Sequence, residues 1–459
     1  MKLEFTVKTG SGKLILIAAG WGTSTAAYAH IAMPGWDVAV LWGIDDSAPD
    51  WSRLQRYHTI YLYAWSLGVS MAERSLPPSL RLTAAYAVNG TVTPYDDERG
   101  IPRDIFDGTC QRLDERNLRK FRMRMFDDIS QFRIAEQSLL TPTGIDGLRD
   151  ELRRVILRGS PAYPIVWTKT FVGMRDRIFP PCNQLRAWDG VTEIIRMEEP
   201  HYIDLQRIVS MTVVNVDRVG QRFTRSLETY DAHAHAQRVI AGRLADEFMA
   251  DVPSCLDRIV EIGPGTGLLT GEWARCHKAA HALYVDLGKM PHYCAAQTEE
   301  YRCCDAEVLM EELAAEAPES VDAIVSSSAI QWLSDLDYFF GCCSRALKPG
   351  GHLAMSTFAP GNLNELRALR PDHLRYLPAE KIEELLRRYF REVRVVEDTV
   401  ELDFTTPLEA LRHLRLTGVT ASGYKTGIGE LRQFAARYPQ NSRKRYSLTF
   451  RPIYMSARK

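Results

Sequence analysis

The chain has 459 residues, of which 45% are apolar and 25% are charged, and its formal net charge is −1. This length exceeds the size at which one hydrophobic core stops growing, so we expect two domains, and the balanced charge excludes a general nucleic-acid binder. The apolar run at residues 14–19 is too short for a membrane span or a signal peptide. Nine cysteines without a C-x-x-C motif indicate neither a zinc site nor a disulfide framework, so we expect reduced thiols, a cytoplasmic protein and no metal.

The first half of the chain has the pattern of an α/β domain. Residues 104–158 are charged and helical in pattern. Five segments have the apolar pattern of strands: residues 13–19, 38–42, 59–64, 164–173 and 191–197. Strands, a helical insert and then further strands predict a sheet that carries a helical cap.

The stretch YLYAWSLGVS places Ser66 between a buried strand and a helix. Such a sharp turn lifts the serine oxygen above the sheet and aims the next amide, that of Leu67, at a developing oxyanion. The usual pattern is G-x-S-x-G, and here Ala64 keeps a small residue in place of the first glycine. Taken alone, the pentapeptide also fits a buried or helix-capping serine.

The order of candidate partners along the chain favours a catalytic serine. In α/β-hydrolases the serine is followed by an acid and then a histidine, each after a late strand. Asp176 follows the segment 164–173, and His201 follows the segment 191–197. Asp176 would hold the imidazole in one tautomer, and His201 would take the Ser66 proton.

The loop after the first strand, AAGWGTS, offers the amide of Trp21 or Gly22 as a second oxyanion donor. His201 next to two glutamates also fits a salt-bridged surface residue. The alternative histidines and acids fit the chain order poorly; they are His30, His58, Asp45 and Asp46.

Five segments together resemble the BioG-type carboxylesterases of biotin synthesis: LILIAAGWGTS, YAWSLGVSMA, AVNGTVTPYDDERGI, GMRDRIFPPCNQLRAW and EEPHY. The resemblance covers most of residues 1–205. It implies an α/β-hydrolase fold, hydrolysis of the methyl ester of pimeloyl-acyl carrier protein, and Ser66, Asp176 and His201 as the triad.

A second series of alternating strands and helices begins near residue 217 and predicts another doubly wound parallel sheet. Residues 214–223 read as a short joint, so we expect domains at residues 1–215 and 216–459.

The segment VEIGPGTGLLT has the spacing E-x-G-x-G-x-G, which differs from the dinucleotide pattern G-x-G-x-x-G and lacks a phosphate-loop lysine. It fits the first motif of Rossmann-like class I S-adenosylmethionine methyltransferases, in which absent side chains let the backbone approach the ligand. Asp286 ends the next strand, where a carboxylate can accept the ribose hydroxyls, and Asp305 is placed to meet the adenine amine. The predicted cofactor residues of this motif are Glu261, Gly263, Gly265 and Gly267.

Three segments, RFTRSLETYDAHAHAQ, SSSAIQWLSDL and LRHLRLTGVTA, resemble the BioC-type malonyl-acyl carrier protein O-methyltransferases over about residues 218–459. Tyr230 is expected to touch the cofactor. His233 and His235 are two positions apart on a helix, which disfavours a metal site. Three further side chains are candidates for pairing with the substrate carboxylate or the carrier, or else form a solvated helix face: Arg412, His413 and Arg415.

Both resemblances imply one pathway, in which one half caps a carboxylate as a methyl ester and the other half removes the cap. Because acyl carrier proteins are acidic, basic residues of the cap are docking candidates: Arg112, Arg116, Arg119, Lys120, Arg122 and Arg124. A charged helix balanced by Asp114 and Glu115 explains the same pattern. Two other functions stay open, an esterase and methyltransferase for unrelated carboxylic acids, and one inactive half that only docks the carrier.

Overall fold

The computed structural model describes residues 1–45, 47–157, 164–366, 374–417 and 428–459. The chain divides into two compact units, Met1–Ser210 and Met211–Lys459. Each unit contains one seven-stranded sheet. In these described ranges, no helix is long and apolar enough to cross a membrane.

The first unit is built on a sheet with the strand order β1-β3-β2-β4-β5-β6-β7. Its strands are β1 Lys2–Val7, β2 Lys13–Ala18, β3 Asp37–Trp42, β4 Thr59–Trp65, β5 Ala84–Val88, β6 Lys169–Gly173 and β7 Glu193–Met197. Only β1, at one edge, is antiparallel to its neighbour. Strands β2 to β5 are buried along their whole length, which explains why they read as continuous apolar runs.

In the described residues between β5 and β6, four helices form the predicted cap. The helices before residue 213 are α1 Leu67–Ser75, α2 Arg103–Gln111, α3 Glu115–Arg124, α4 Ile129–Ala135, α5 Ile145–Leu157, α6 Pro181–Trp188 and α7 Leu205–Thr212. Asp114 begins α3 because its carboxylate accepts a hydrogen bond from the Asn117 amide at 2.7 Å. Asp128 caps α4 in the same way. The expected hydrolase architecture with a helical cap is therefore confirmed.

The second unit has a sheet of order β10-β9-β8-β11-β12-β16-β13, in which β16 alone runs antiparallel. Its strands, including a separate β14–β15 pair, are β8 Cys255–Ile262, β9 Lys278–Asp286, β10 Ala296–Cys303, β11 Val321–Ser326, β12 Leu347–Phe358, β13 Glu392–Glu397, β14 Val400–Phe404, β15 Tyr446–Phe450 and β16 Pro452–Arg458. The direction of strand order reverses between β8 and β11. This is where doubly wound folds bind their ligands, and the Rossmann-like prediction is confirmed.

The helices of the second unit cover both faces of this sheet. They are α8 Val216–His233, α9 His235–Arg243, α10 Leu268–Cys276, α11 Ala306–Glu316, α12 Leu336–Ala346, α13 Ala379–Leu386, α14 Pro407–Leu416 and α15 Ile428–Arg437. Two buried apolar clusters lie against the sheet, one of them centred on α11 and α12 and the other on α9, α10 and α14.

A helix begins inside the predicted joint at residues 214–223. Helix α8 begins at Val216, and the Asn215 side chain accepts a hydrogen bond from the Arg218 amide at 3.0 Å. Asparagine is a preferred N-cap residue, so this start signal was present in the sequence. The pair His233 and His235 lies on two helices, because the backbone breaks at Ala234.

Candidate active sites

The turn between β4 and α1 holds Ser66 in a rare backbone conformation, with φ 58° and ψ −128°. Two glycines permit this turn. A Cβ on Gly68 would lie 2.2 Å from the Ala18 carbonyl oxygen, and one on Gly90 would lie 2.2 Å from that of Ser66. Strain at a non-glycine residue persists only where its surroundings fix it. Here the Ser66 amide also donates to the Val88 carbonyl at 2.9 Å.

Ser66, His201 and Asp176 form one hydrogen-bonded line. The Ser66 Oγ lies 3.0 Å from His201 Nε2, and His201 Nδ1 lies 2.9 Å from Asp176 Oδ2. All three side chains are buried. Because an ionised carboxylate only accepts hydrogen bonds, Nδ1 carries the proton and Nε2 is left to accept from the serine hydroxyl. The arrangement can therefore transfer the serine proton to the imidazole.

The Asp176 carboxylate is held by three further donors. Its Oδ1 accepts from the amides of Ile178 at 2.7 Å and Phe179 at 2.9 Å, and its Oδ2 accepts from Gln184 Nε2 at 3.0 Å. The Phe179 ring also stacks against the imidazole of His201 at a centroid distance of 6.1 Å. These contacts fix the acid and the orientation of the histidine that it holds.

Asn89, which the sequence reasoning missed, joins the loops that carry the acid and the histidine. Its Nδ2 donates to the carbonyls of Pro200 and His201, each at 2.9 Å, and its Oδ1 accepts from the Gly173 amide at 2.6 Å. The His201 carbonyl accepts a second bond, from Trp65 Nε1 at 3.0 Å. Asn89 has a φ of 45° just after β5. The signal in the sequence was an Asn-Gly pair directly after an apolar run, but such a pair ordinarily predicts only a turn.

A cavity of about 500 Å³, its open mouth included, opens on Ser66 and has mainly apolar walls. Cap helices supply much of this wall through Phe106, Phe121 and Leu152. Thr109 and the exposed Arg124 are its polar lining residues outside the serine turn. The site is therefore shaped for an apolar acyl chain with a polar group near the surface.

Trp21 and Leu67 line this cavity together with Ser66, whereas Gly22 does not. The Gly20 carbonyl accepts hydrogen bonds from the Thr23 amide at 3.3 Å and from the Thr23 hydroxyl at 2.7 Å. In a trans peptide the N–H points away from the preceding carbonyl, so the Trp21 amide is directed away from Thr23. The Gly22 carbonyl accepts from the guanidinium of Arg122 at 3.3 Å.

The six basic residues of the cap differ in their surroundings. Arg122 is buried, and Arg119 is paired with Glu136 at 2.7 Å and lies over the Phe132 ring. The exposed members of the set are Arg112, Arg116, Arg119, Lys120 and Arg124. Asp46, an alternative acid, lies outside the described residues.

In the second unit, the loop after β8 has the backbone that its glycines predict. Gly263, Gly265 and Gly267 have φ values of 65°, 57° and 93°. A Cβ on Gly263 would lie 2.4 Å from the Ala329 Cβ, whereas one on Gly265 would meet nothing within 4 Å. Packing thus requires glycine at position 263, and the backbone at Gly265 stays open to the adjoining cavity.

That cavity has a volume of about 1080 Å³, its open mouth included, and lies at the ends of β8, β9, β10 and β11. Tyr230, Gly263, Gly265, Asp286 and Asp305 line it. The Asp286 carboxylate accepts from the amides of Gly265 at 3.1 Å and Gly288 at 3.2 Å, and burial raises its pKa. Asp305 caps α11.

Glu261 and Gly267 do not line the cavity. The buried Glu261 carboxylate accepts from Thr270 Oγ1 and Trp273 Nε1, both at 2.8 Å, and so fastens α10 to β8. Burial raises the pKa of Glu261 to about 7. Its observed contacts position the loop, and its role toward the cofactor stays a prediction.

The lining fits S-adenosylmethionine, because it combines an open backbone, carboxylates and buried polar groups. Gln237 and Thr266 line the cavity, and the Gln237 Oε1 and Thr266 Oγ1 atoms are buried without a partner among the described residues. Sequence reasoning missed both, since no spacing rule singles out a helical glutamine or a loop threonine.

His413 is a buried residue of α14, and burial together with the nearby His233 and His235 lowers its pKa to about 4. It is therefore neutral at neutral pH. Arg412 and Arg415 are exposed on α14. The described residues contain no group of three or more His, Cys, Asp or Glu that could hold a metal. Residues 418–421 of the segment LRHLRLTGVTA lie outside the described ranges.

Comparison with known proteins connects both sites to families. Residues 1–211 match the family model "Pimeloyl-ACP methyl esterase BioG", and residues 260–355 match the model "Methyltransferase domain". A malonyl-acyl carrier protein O-methyltransferase of Bacteroides fragilis is 34% identical over 97% of this chain and 92% of its own length. The chain belongs to the malonyl-acyl carrier protein O-methyltransferase family.

Shorter relatives match one half each. A malonyl-acyl carrier protein O-methyltransferase of Prosthecochloris aestuarii is 34% identical over 54% of this chain and 96% of its own. A solved structure of BioG from Haemophilus influenzae is 34% identical over 44% of this chain and 94% of its own, with a TM-score of 0.40. Both expected resemblances, and the prediction of an esterase and a methyltransferase on one chain, are confirmed.

We expect Asn89→Ala to lower kcat for ester hydrolysis by about 10- to 100-fold, since a displacement of about 1 Å at a catalytic group has an effect of this size. Asn89→Asp should lose at least as much, because a carboxylate would face the carbonyls of Pro200 and His201. Trp65→Phe removes only one of the two donors to the His201 carbonyl and should lose less. Steady-state hydrolysis by the three variants measures this order, and wild-type kcat in Asn89→Asp would contradict it.

The raised pKa of Glu261 predicts a pH-dependent stability. A carboxyl with a pKa of about 7 in the fold and 4.5 ordinarily binds more protons folded than unfolded, so its contribution to the free energy of unfolding falls as pH rises through that window. The glutamine of Glu261→Gln does not titrate. The free energy of unfolding of this variant should therefore rise relative to that of wild type as the pH increases from about 5 to about 7.5. Thermal unfolding measures the difference, and the transition that S-adenosylhomocysteine shifts identifies the second unit. A constant difference across this range would contradict the prediction.

Proposed function

We propose that the first unit hydrolyses the methyl ester of pimeloyl-acyl carrier protein with Ser66 as nucleophile, His201 as base and Asp176 as the acid that orients it. The observation that carries this proposal is the hydrogen-bonded line from Ser66 Oγ to Asp176 Oδ2 at the base of an apolar cavity. Ser66 attacks the ester carbonyl as His201 takes its proton, and the imidazolium then protonates the departing methoxide. Water, activated by the same histidine, releases the free carboxylate.

The amides of Trp21 and Leu67 are the proposed oxyanion donors. Both residues line the cavity beside Ser66, and the Thr23 hydrogen bonds to the Gly20 carbonyl turn the Trp21 amide away from Thr23. The Leu67 amide lies at the first position of α1, where helix N–H groups have no partner within the helix. Gly22, the alternative donor, is the weaker candidate because it does not line the cavity.

The second unit is the proposed site of methyl transfer to the free carboxylate of malonyl-acyl carrier protein. When bound, S-adenosylmethionine supplies the methyl group. Asp286 would hold the ribose hydroxyls, Asp305 the adenine amine, and the backbone at Gly263 and Gly265 the amino-acid end; Tyr230 and Gln237 would close the cavity from α8 and α9. The reaction joins an ionised carboxylate to an electrophilic methyl carbon, so positioning and exclusion of water suffice without a base.

The two reactions belong together because methylation removes the charge of the carboxylate and hydrolysis of the ester restores it. Burying an ionised carboxylate in an apolar tunnel costs several kcal/mol, and a methyl ester removes that charge. A methylated malonyl group can therefore be elongated as a fatty acyl chain is, and the ester is opened afterwards. We propose a domain boundary at residues 215/216, one half for each reaction.

The proposed partner, an acidic acyl carrier protein, would dock on exposed basic residues of the cap. Arg116 and Lys120 on α3 are exposed, and Arg124 lies at the lining of the Ser66 cavity. Arg122 is an unsuitable docking residue because it is buried against Gly22. A cytoplasmic location is proposed because all nine cysteines are free thiols.

The two activities should separate by mutation. Ser66→Ala should lower hydrolysis of pimeloyl-carrier methyl ester by at least about 1,000-fold and leave methylation of malonyl-carrier unchanged. Asp286→Ala should do the reverse. Ser70→Ala is the matched control, a buried serine one turn along the same helix. Hydrolysis that survives in Ser66→Ala would disprove the esterase site, and methylation that survives in Asp286→Ala would remove Asp286 from the cofactor site.

The cavity walls predict selectivity for long acyl esters. When the methyl ester of a malonyl group reaches Ser66, the polar thioester and the carrier arm must enter the apolar cavity. A pimeloyl group has four more methylene groups than a malonyl group, and these fill the cavity instead. At about 0.8 kcal/mol for each buried methylene, we expect kcat/KM to favour the pimeloyl ester by about 100-fold or more. Leu152→Ala should reduce this ratio, because Leu152 forms part of the wall. Equal values for the two esters in wild type would contradict the prediction.

A further inference from the structure

Four buried polar atoms, each on a residue that lines the second cavity, lack a partner among the described residues. They are Gln237 Oε1, Thr266 Oγ1, Ser328 Oγ and Trp332 Nε1. A buried donor or acceptor without a partner destabilises a fold, so such groups are few in native proteins and call for an explanation. Their presence in the lining of one cavity indicates that bound molecules satisfy them.

The strand order places three of these four atoms, those of Thr266, Ser328 and Trp332. Asp305, Asp286 and the glycine loop follow β10, β9 and β8, three neighbouring strands whose ends form the proposed cofactor site. Thr266 belongs to that loop. Ser328 and Trp332 follow β11, the next strand of the sheet, and so lie on the side of the glycine loop that is away from Asp286 and Asp305.

Both residues after β11 are held firmly. Ser328 has a φ of 55°, and its amide donates to Ser356 Oγ at 3.0 Å and to the Ser356 carbonyl at 3.2 Å. Trp332 ends a short 3-10 turn, and its ring meets that of Phe223 edge to face at 6.1 Å. A serine hydroxyl and an indole N–H can both donate a hydrogen bond, so they suit an anionic group.

None of the described residues that line this end of the cavity is charged. Lys289 is the single cationic residue among the described residues of the lining, and it follows β9, on the side of Asp286. We propose that Trp332 Nε1–H and the Ser328 hydroxyl bind the free carboxylate of the acyl acceptor and hold it for methylation. This subsite rests on the methyltransferase function proposed above.

Neutral donors suit this reaction better than an arginine would. One carboxylate oxygen forms the new bond to the methyl carbon as the carbon–sulfur bond breaks, and the negative carboxylate and the positive sulfonium lose their charges together. A cationic partner would stabilise the charged carboxylate more than the transition state and would slow the transfer. A pair of neutral donors orients one oxygen and leaves the other free to attack.

The test removes one donor and keeps the ring. Trp332→Phe retains an aromatic ring beside Phe223 but has no N–H. In the presence of S-adenosylhomocysteine, we expect full-length wild type to bind malonyl-carrier at least about 10-fold more tightly than acetyl-carrier, and the variant to lose most of this preference. The affinity for S-adenosylhomocysteine alone should stay within about twofold, and kcat/KM for methylation should fall by roughly 10- to 100-fold.

Ser328→Ala should show a smaller loss of the same preference, and Ser344→Ala on α12, which does not line the cavity, should show none. The subsite would be overturned if Trp332→Phe kept the wild-type preference, or if it lost S-adenosylhomocysteine affinity by a comparable factor, since the N–H would then serve the cofactor. Failure of wild type to methylate malonyl-carrier would instead overturn the proposed function. Titration calorimetry with purified holo-carriers gives the binding constants independently of activity.

Discussion

Parallel β-strands end at a common edge, and both proposed sites of this chain depend on that constraint. In the first sheet the ends of β4, β6 and β7 bring Ser66, Asp176 and His201 together, although 135 residues separate the serine from the histidine. In the second sheet the ends of β8 to β11 surround one cavity. Each strand end presents a loop, and loops can carry polar side chains that a buried strand cannot.

The backbone at each edge is fixed by close packing. At the serine turn, glycines at positions 68 and 90 leave room for the carbonyls of Ala18 and Ser66. At the cofactor loop, Gly263 leaves room for Ala329, which follows β11. Side-chain amides complete the arrangement, since Asn89 holds the loops of the acid and the histidine at a fixed separation. Glycines therefore permit close packing at both turns, and Gly265 also leaves the backbone open to a ligand.

The two cavities differ in the polarity of their linings because their proposed ligands differ in charge. The esterase cavity is mainly apolar, as an uncharged acyl ester requires, and its polar groups gather at the serine and near Arg124. The methyltransferase cavity carries two carboxylates and several buried groups without partners, as a charged and richly polar ligand requires. Methylation makes an acyl group that the first type of cavity can accept, and hydrolysis restores the charge. The same physical cost, that of desolvating a carboxylate, thus accounts for both linings.

The sequence by itself determined the two-sheet architecture and the helical cap, and it predicted the residues of the proposed triad and of the glycine loop, because turn geometry and strand order restrict which residue types can stand there. It could not supply Asn89, Gln237 or Trp332, since their contacts join segments far apart in the chain. It also suggested that six basic residues of the cap act alike, whereas the tertiary structure buries Arg122 and pairs Arg119 with Glu136. Likewise, only packing decided that Glu261 faces Trp273 rather than the cavity and that His413 is neutral. Residue type sets what a side chain can do, and burial among distant neighbours sets its charge and its partner.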